Sequence, residues 1–318
     1  MKITLWGVRG SIPTPLSGAA IQHKIRKALN LAKPGDISSP EAVENFIASL
    51  PFSVRNSYGG NSTSIEVQGD SGEIVIIDGG SGIKGLGRKL MKSEFSRGQG
   101  MATILFSHTH WDHIQGIPFF LPFFVKGNRF SVYSPFPDIK ERLDHQQVST
   151  HFPVTLDQME ATKEYFHFEP DSELYLDSIK IMCKKMPHPG GAFGFRIEEN
   201  GRSFVFTGDC EFNIDEVENI DEYENFFYRA DVLVFDAQYT FKESIDKFDY
   251  GHSSAAIAID IAGRFKCKRL ILFHHEPDYD DDLLDELLIN AKTYLAMKSS
   301  RIHDLAIDIA QEGMEIEL

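Results

Sequence analysis

Short apolar runs rich in branched and aromatic residues recur along the chain and read as strands. They fall at Lys2–Trp6, Ile65–Gln68, Ile74–Ile77, Thr103–Phe106, Ser131–Tyr133, Leu174–Leu176, Ile179–Lys184, Phe193–Ile197, Ser203–Thr207, Asp231–Asp236, Leu270–Phe273, Leu305–Ile309 and Met314–Leu318. Gly69-Asp70-Ser71-Gly72 between the second and third predicts a hairpin. A helical period appears elsewhere. Ile21, Ile25, Ala28, Leu29 and Ala32 share one stripe of a helix predicted over 19–32. Ser39-Pro40-Glu41 is a capping hydroxyl followed by Pro at the first helical position, and this second helix stops at Pro51. The two form a helical insert over about 16–50. A further helix is expected from Gly251-His252-Ser253-Ser254 through Ala258 and Ile261, with Ser253 or Ser254 as its cap. Another spans about 282–297, and the polar stretch 138–165 is expected to be helical. Alternation of strands and helices without a linker or repeat gives an α/β fold in one domain over 1–318.

Charge narrows the partners. The net charge of −15 argues against a broad basic surface for nucleic acid or anionic membrane. Three scattered cysteines, Cys183, Cys210 and Cys267, suit a reducing compartment. With no signal-peptide core and no long apolar span, a cytoplasmic protein away from the membrane is expected.

Chemistry concentrates in Ser107-His108-Thr109-His110-Trp111-Asp112-His113, which holds three of the 12 histidines. It follows the strand run Thr103–Phe106, and the end of a buried strand is where α/β proteins bind ligands. Imidazole is the commonest transition-metal ligand, and carboxylate joins it readily. His108 and His110 alternate by two and point the same way on an extended segment. Asp112 and His113 fall on the following turn and face a second position, so one strand end can feed two metal ions. The same pattern, a strand followed by His or Asp, recurs at His188, Asp209, Asp236 and His274. His275 is the alternative to His274, which is preferred. Asp78, in the turn Asp78-Gly79-Gly80, is expected to orient a metal-bound group. Arg9 could reach an anionic substrate or be an ordinary surface charge. One ring among Tyr58, Trp111 and Phe119 could stack a base, although packing is the default for each. Ser253 is a further candidate substrate contact.

His108-x-His110-x-Asp112-His113, followed in order by His188, Asp209 and His274, resembles the metallo-β-lactamase superfamily. The likeness covers nearly the whole chain outside the insert. It implies an αββα sandwich, two facing mixed sheets with helices outside and a two-metal site along one edge. His108, His110 and His188 would hold one ion, Asp112, His113 and His274 the other, and Asp209 would bridge them. The ions would be zinc, with manganese or iron as alternatives. Within the superfamily, Asp236 and the Gly251-His252-Ser253-Ser254 turn look most like the phosphodiesterase branch that includes ribonuclease Z, where such a pair relays a proton near the leaving group. Asp112, Asp236 and His252 are accordingly the catalytic candidates.

The resemblance implies hydrolysis of a phosphodiester by a hydroxide shared between the metals. Two divalent ions, two ligating aspartates and that hydroxide leave the site at about +1, matched to one monoanionic diester. The short segment between His188 and Asp209 leaves room for a hairpin but not for the long basic arm that ribonuclease Z inserts there. A small cyclic or acyclic nucleotide is therefore the expected substrate. A nuclease of the ribonuclease Z type, a β-lactam or thioester hydrolase, and a metal-binding scaffold or sensor are the rivals. A homodimer across the insert is also expected.

Overall fold

The computed structural model describes residues 1–213, 220–298, 302 and 304–318. Among the described residues fourteen strands follow one another in chain order. They are β1 (Lys2–Gly7), β2 (Ser64–Gln68), β3 (Ile74–Ile77), β4 (Met101–Leu105), β5 (Arg129–Ser134), β6 (Thr162–His167), β7 (Glu173–Leu176), β8 (Ile179–Met186), β9 (Ala192–Glu199), β10 (Arg202–Phe206), β11 (Val232–Asp236), β12 (Arg269–Phe273), β13 (Ala306–Ile309) and β14 (Glu315–Glu317). They form two seven-stranded sheets in the orders β14-β1-β2-β3-β4-β5-β6 and β13-β12-β11-β10-β9-β8-β7. In each sheet one half is parallel, β3 through β6 and β10 through β13.

The period of two in a strand explains the layering. Val75 and Ile77 face the space between the sheets, where they meet Phe195, Phe204, Val232 and Val234. Ile76 and Ile104 face the other way, onto Ile83, Leu86 and Leu90 of the helix Ile83–Leu90. In the second sheet Leu233 and Phe235 turn outward onto Ile257, Ile261 and Leu284. Strands buried on both faces read as continuous apolar runs, which is why they were legible. The result is an αββα sandwich, a metallo-β-lactamase-type fold. No helix among the described residues is long and apolar enough to cross a membrane.

One expectation is corrected. The stretch 138–165 is not one helical region: an α-helix occupies Ile139–Gln146, a single 3-10 turn Leu156–Gln158, and Thr162 already begins β6. Thr162-Lys163-Glu164-Tyr165 carries the charges of a solvent-facing edge strand, which disguise it as a polar segment. In the insert, the helices Gly18–Leu31 and Pro40–Ser49 form, but neither has a buried residue. Ile21, Ile25 and Leu29 are 47, 53 and 69% exposed. The first helix is tied down by ions instead, Lys24 to Asp281 and Lys27 to Asp282, each at 2.6 Å.

Candidate metal centre

The parallel halves of both sheets deliver their C-terminal ends to one edge. Beyond β4, His108 and His110 leave on extended backbone. The chain then turns into the one-turn helix Trp111–Ile114, which swings Asp112 and His113 round to a second position. His188 lies in the turn between β8 and β9, Asp209 just past β10, Asp236 at the end of β11, and His274 just past β12. His274 has φ +64°, a left-handed conformation costly for a side chain and characteristic of functional sites. Gly10 packs on its ring so closely that an added Cβ would lie 2.4 Å from Nδ1.

The donors gather in two groups that share Asp209. His108, His110, His188 and Asp209 form one, and Asp112, His113, Asp209 and His274 the other; within each, one donor atom per residue lies within 4.8 Å of the rest. His188 Nε2 is 3.1 Å from His110 Nδ1, and His108 Nε2 is 3.4 Å from Asp209 Oδ2. His274 Nε2 stands 3.1 Å from Asp112 Oδ2 and 3.2 Å from Asp209 Oδ1, and His113 Nε2 also lies 3.2 Å from that oxygen. His275 points away, its Nε2 donating to the Ala310 carbonyl at 2.8 Å, so His274 is the histidine at this centre.

Outer partners fix which ring nitrogen faces inward. His113 Nδ1 donates to Asp78 Oδ2 at 2.8 Å. His108 Nδ1 donates to the Ser107 hydroxyl at 3.0 Å, which itself donates to Asp78 Oδ2 at 2.7 Å. His188 Nδ1 donates to the Gly251 carbonyl at 2.8 Å, and His274 Nδ1 to Gln238 Oε1 at 3.1 Å. In each case Nε2 keeps a lone pair turned inward, as metal ligation requires.

The donor set fits divalent cations. His108 Nε2, His113 Nε2 and Asp209 Oδ1 are buried without a hydrogen-bond partner. Such groups cost about 1–3 kcal/mol each unless something satisfies them, and one cation in each group would satisfy all three. Electrostatics agree. Burial keeps His110 and His188 neutral, lowering them to about 4 and about 3. Burial also opposes charge on His113 and His274, but Asp209 and Asp112 outweigh it. His113 is raised well above the usual imidazole range, and His274 to about 9. Asp112 and Asp209 stay well below the ordinary carboxylate range despite burial, because His113 and His274 face them. The aspartates thus set up a demand for positive charge that protons or metal ions can meet.

Beside the second group, Asp236 Oδ2 accepts from His252 Nδ1 at 2.8 Å and from the Cys210 amide at 3.0 Å. The His252 ring stacks on His274 with centroids 4.8 Å apart. A cavity of about 400 Å³ opens over the centre, lined by Ser11, Thr109, His110, Trp111, Asp112, Asp209, His252 and His274.

Three expected substrate contacts are corrected, since none lines this cavity. Arg9 is buried, and its guanidinium donates to the carbonyls of Gly59, Glu276 and Tyr279 at 2.8–2.9 Å. Tyr58 is buried, its hydroxyl donating to Asp285 at 2.6 Å. Ser253 Oγ donates to the Cys210 carbonyl at 2.7 Å and accepts from the Phe212 amide at 3.0 Å, stapling the Asp209 loop to the His252 loop. The helix Ala255–Arg264 starts after Ser254, whose hydroxyl makes no capping bond. The sequence reading also passed over Ser11, whose amide donates to Asp112 Oδ2 at 2.8 Å, as well as Gln238 and Glu211. Glu211 accepts from the amides of Asp249 and Gly251 at 2.9 and 2.6 Å. Gln238 lies two residues past Asp236, a position that could have drawn notice; Glu211 carries no such signal.

Residues 74–275 match the family model described as the beta-lactamase superfamily domain. The chain belongs to that superfamily, and by class it is a metal-dependent hydrolase. Among curated proteins it is similar to the ribonuclease Z of Picrophilus torridus, 27% identical over 277 residues that cover 72% of this chain and 84% of the relative. Among solved structures it resembles the metallo-beta-lactamase fold protein YhfI from Bacillus subtilis, with TM-score 0.64 and 19% identity over 99% of each chain. It also resembles yeast PDE1, with TM-score 0.64 and 13% identity over 100% of this chain and 99% of that one.

Proposed function

We propose that the chain is a two-metal phosphodiesterase acting on a small nucleotide diester. The observation that carries this reading is the Asp236–His252 pair at 2.8 Å, set against His274 at the cavity wall. Hydrolysis of an alkyl diester must protonate a departing alkoxide, a need that the stable thiolate released from a thioester does not share.

His108, His110 and His188 with Asp209 would hold one ion, and Asp112, His113 and His274 with Asp209 the other. Divalent ions there would supply Lewis-acid polarisation of the phosphoryl group and lower the pKa of water, and zinc suits the mixed nitrogen and oxygen donors. Asp236 accepts the Nδ1 proton of His252, which leaves Nε2 as the atom that hands a proton to the leaving oxygen. The amides of Cys210 and Gln238 also donate to Asp236, at 3.0 and 3.2 Å, so its carboxylate is fixed in place against the His252 ring. The buried, free Cys183, Cys210 and Cys267 suit a reducing, cytoplasmic setting.

The 27% identity to a ribonuclease Z favours a second reading, an RNA-processing nuclease. Against it, the β9–β10 hairpin takes up the segment between His188 and Asp209, and the net charge is −15. The experiment is turnover of bis-p-nitrophenyl phosphate, a panel of cyclic nucleotides, precursor tRNA, nitrocefin and a thioester by metal-loaded protein. Diester hydrolysis is expected. His252→Ala should lower turnover of the alkyl (nucleotide) diesters about 10²–10⁴-fold, and that of bis-p-nitrophenyl phosphate far less because nitrophenolate leaves unprotonated, while metal content holds at about two ions per chain; metal loss in that variant would sink the relay role.

A further inference from the structure

One side chain on the cavity wall serves neither the metal groups nor the proton relay. Trp111 lies between His110 and Asp112, and its side chain is 82% exposed. An open indole is unusual, because tryptophan is one of the most buried residues on average. Phe119 packs edge-on against Phe152 with centroids 5.4 Å apart, and it does not line the cavity.

The mount is rigid. Trp111 opens the one-turn helix Trp111–Ile114, and its carbonyl accepts the Gln115 amide at 2.7 Å. The His110 ring on one side meets His188 at 3.1 Å, and Asp112 on the other accepts the Ser11 amide at 2.8 Å. Both neighbours belong to the metal groups, so the indole base is fixed next to the place where phosphorus would sit. No lysine or arginine lines the cavity among the described residues. The site therefore lacks the long cationic side chains that would read extra phosphates, and Trp111 presents the one large apolar surface among its lining residues.

We propose that Trp111 is a stacking platform for a flat heteroaromatic ring, a nucleobase or its equivalent, carried on the reacting phosphodiester. This rests on the phosphodiesterase reading above. An open indole face accepts any planar ring, because every base has a π-face, while a sugar or short alkyl group gains much less. Trp111 thus selects for flatness rather than for base identity.

Two measurements test it. The first compares two diesters with the same leaving group, thymidine 5′-(p-nitrophenyl phosphate) and methyl p-nitrophenyl phosphate. Trp111→Ala should lower the ratio of their kcat/KM values by roughly 5–150-fold, and Trp111→Phe should keep most of it. The second is tryptophan fluorescence in a Trp6→Phe background, which leaves Trp111 as the sole reporter. Adenosine 5′-monophosphate should quench the emission, and ribose 5-phosphate at the same concentration should not. An unchanged ratio in Trp111→Ala, or equal quenching by the two phosphates, overturns the proposal. If wild-type protein hydrolyses neither diester, the phosphodiesterase reading falls, and fluorescence decides the role of Trp111 by itself.

Discussion

The carbonyl of Gly251 accepts the Nδ1 proton of His188 at 2.8 Å, although 63 positions separate the two residues. Gly251 has φ +95°, and a Cβ placed on it would lie 2.3 Å from His188 Nδ1. One backbone bond thus sets the tautomer of a metal-group histidine, and the next residue along is His252. Gly251→Ala must strain the backbone and push the imidazole aside. Supporting bonds of this kind typically change metal affinity 10–100-fold. The expected outcome is weaker binding at the His108, His110 and His188 group only, read by metal titration of the purified variant. Undiminished binding of both ions would refute the linkage.

Asp78 serves the other group directly and the first one through Ser107. Its carboxylate accepts from the Ser107 amide and hydroxyl at 2.7 Å each and from His113 Nδ1 at 2.8 Å. Its φ is +59°, a conformation asparagine tolerates, so Asp78→Asn leaves the backbone in place. The substitution puts an amide donor among groups that need an acceptor. Affinity for the second ion, held through His113, should fall about 10–100-fold, with a smaller fall for the first, which Asp78 reaches only by way of Ser107 and His108. Competition with a chromophoric chelator distinguishes the two steps.

Metal removal should destabilise the fold as well as silence it. Ions that bind only the native chain stabilise it by about 2.7 kcal/mol per site at a hundredfold excess over Kd. For a chain of this size a chelator should therefore lower Tm by roughly 5 °C per site. Adding the metal back should restore it. An unchanged Tm after metal analysis shows complete removal would mean that the buried donors are satisfied some other way.

The attachment of the insert should depend on pH. Burial works against ionisation of Asp282, but bonds from Lys27 and His23 hold its carboxyl down at about 2. A carboxyl whose folded value lies below its unfolded value adds stability above the unfolded value and loses it as pH falls through the folded one. Lys27→Ala should therefore cost at most about 1 kcal/mol at neutral pH, the ceiling for an exposed pair. That cost should fade between about pH 4 and pH 2. Denaturant titrations of both proteins across this range measure it; a difference that stays constant with pH would contradict the ion-pair attachment.

Some of this molecule is written locally. Strands buried on both faces must be apolar throughout, so β3, β4, β11 and β12 announced themselves, and the donors follow directly at their ends. Side chains that answer to distant neighbours gave no such sign. The charged residues of β6 suit an edge strand as well as a helix. The Ile21, Ile25 and Leu29 stripe shows a helix but not whether anything covers it. Arg9 looks like a surface charge until three carbonyls from remote segments surround its guanidinium.

His274 and His275 mark the boundary most clearly. The sequence by itself determined that imidazole follows β12, because a metal-binding edge needs that donor type after a buried strand. Only the tertiary structure decided which imidazole: His274, at φ +64°, turns toward Asp112 and Asp209, while His275 turns back to Ala310. Local pattern places a residue on its own strand. The distance from that residue to a carboxylate on another sheet follows from strand order and from how the two sheets face each other.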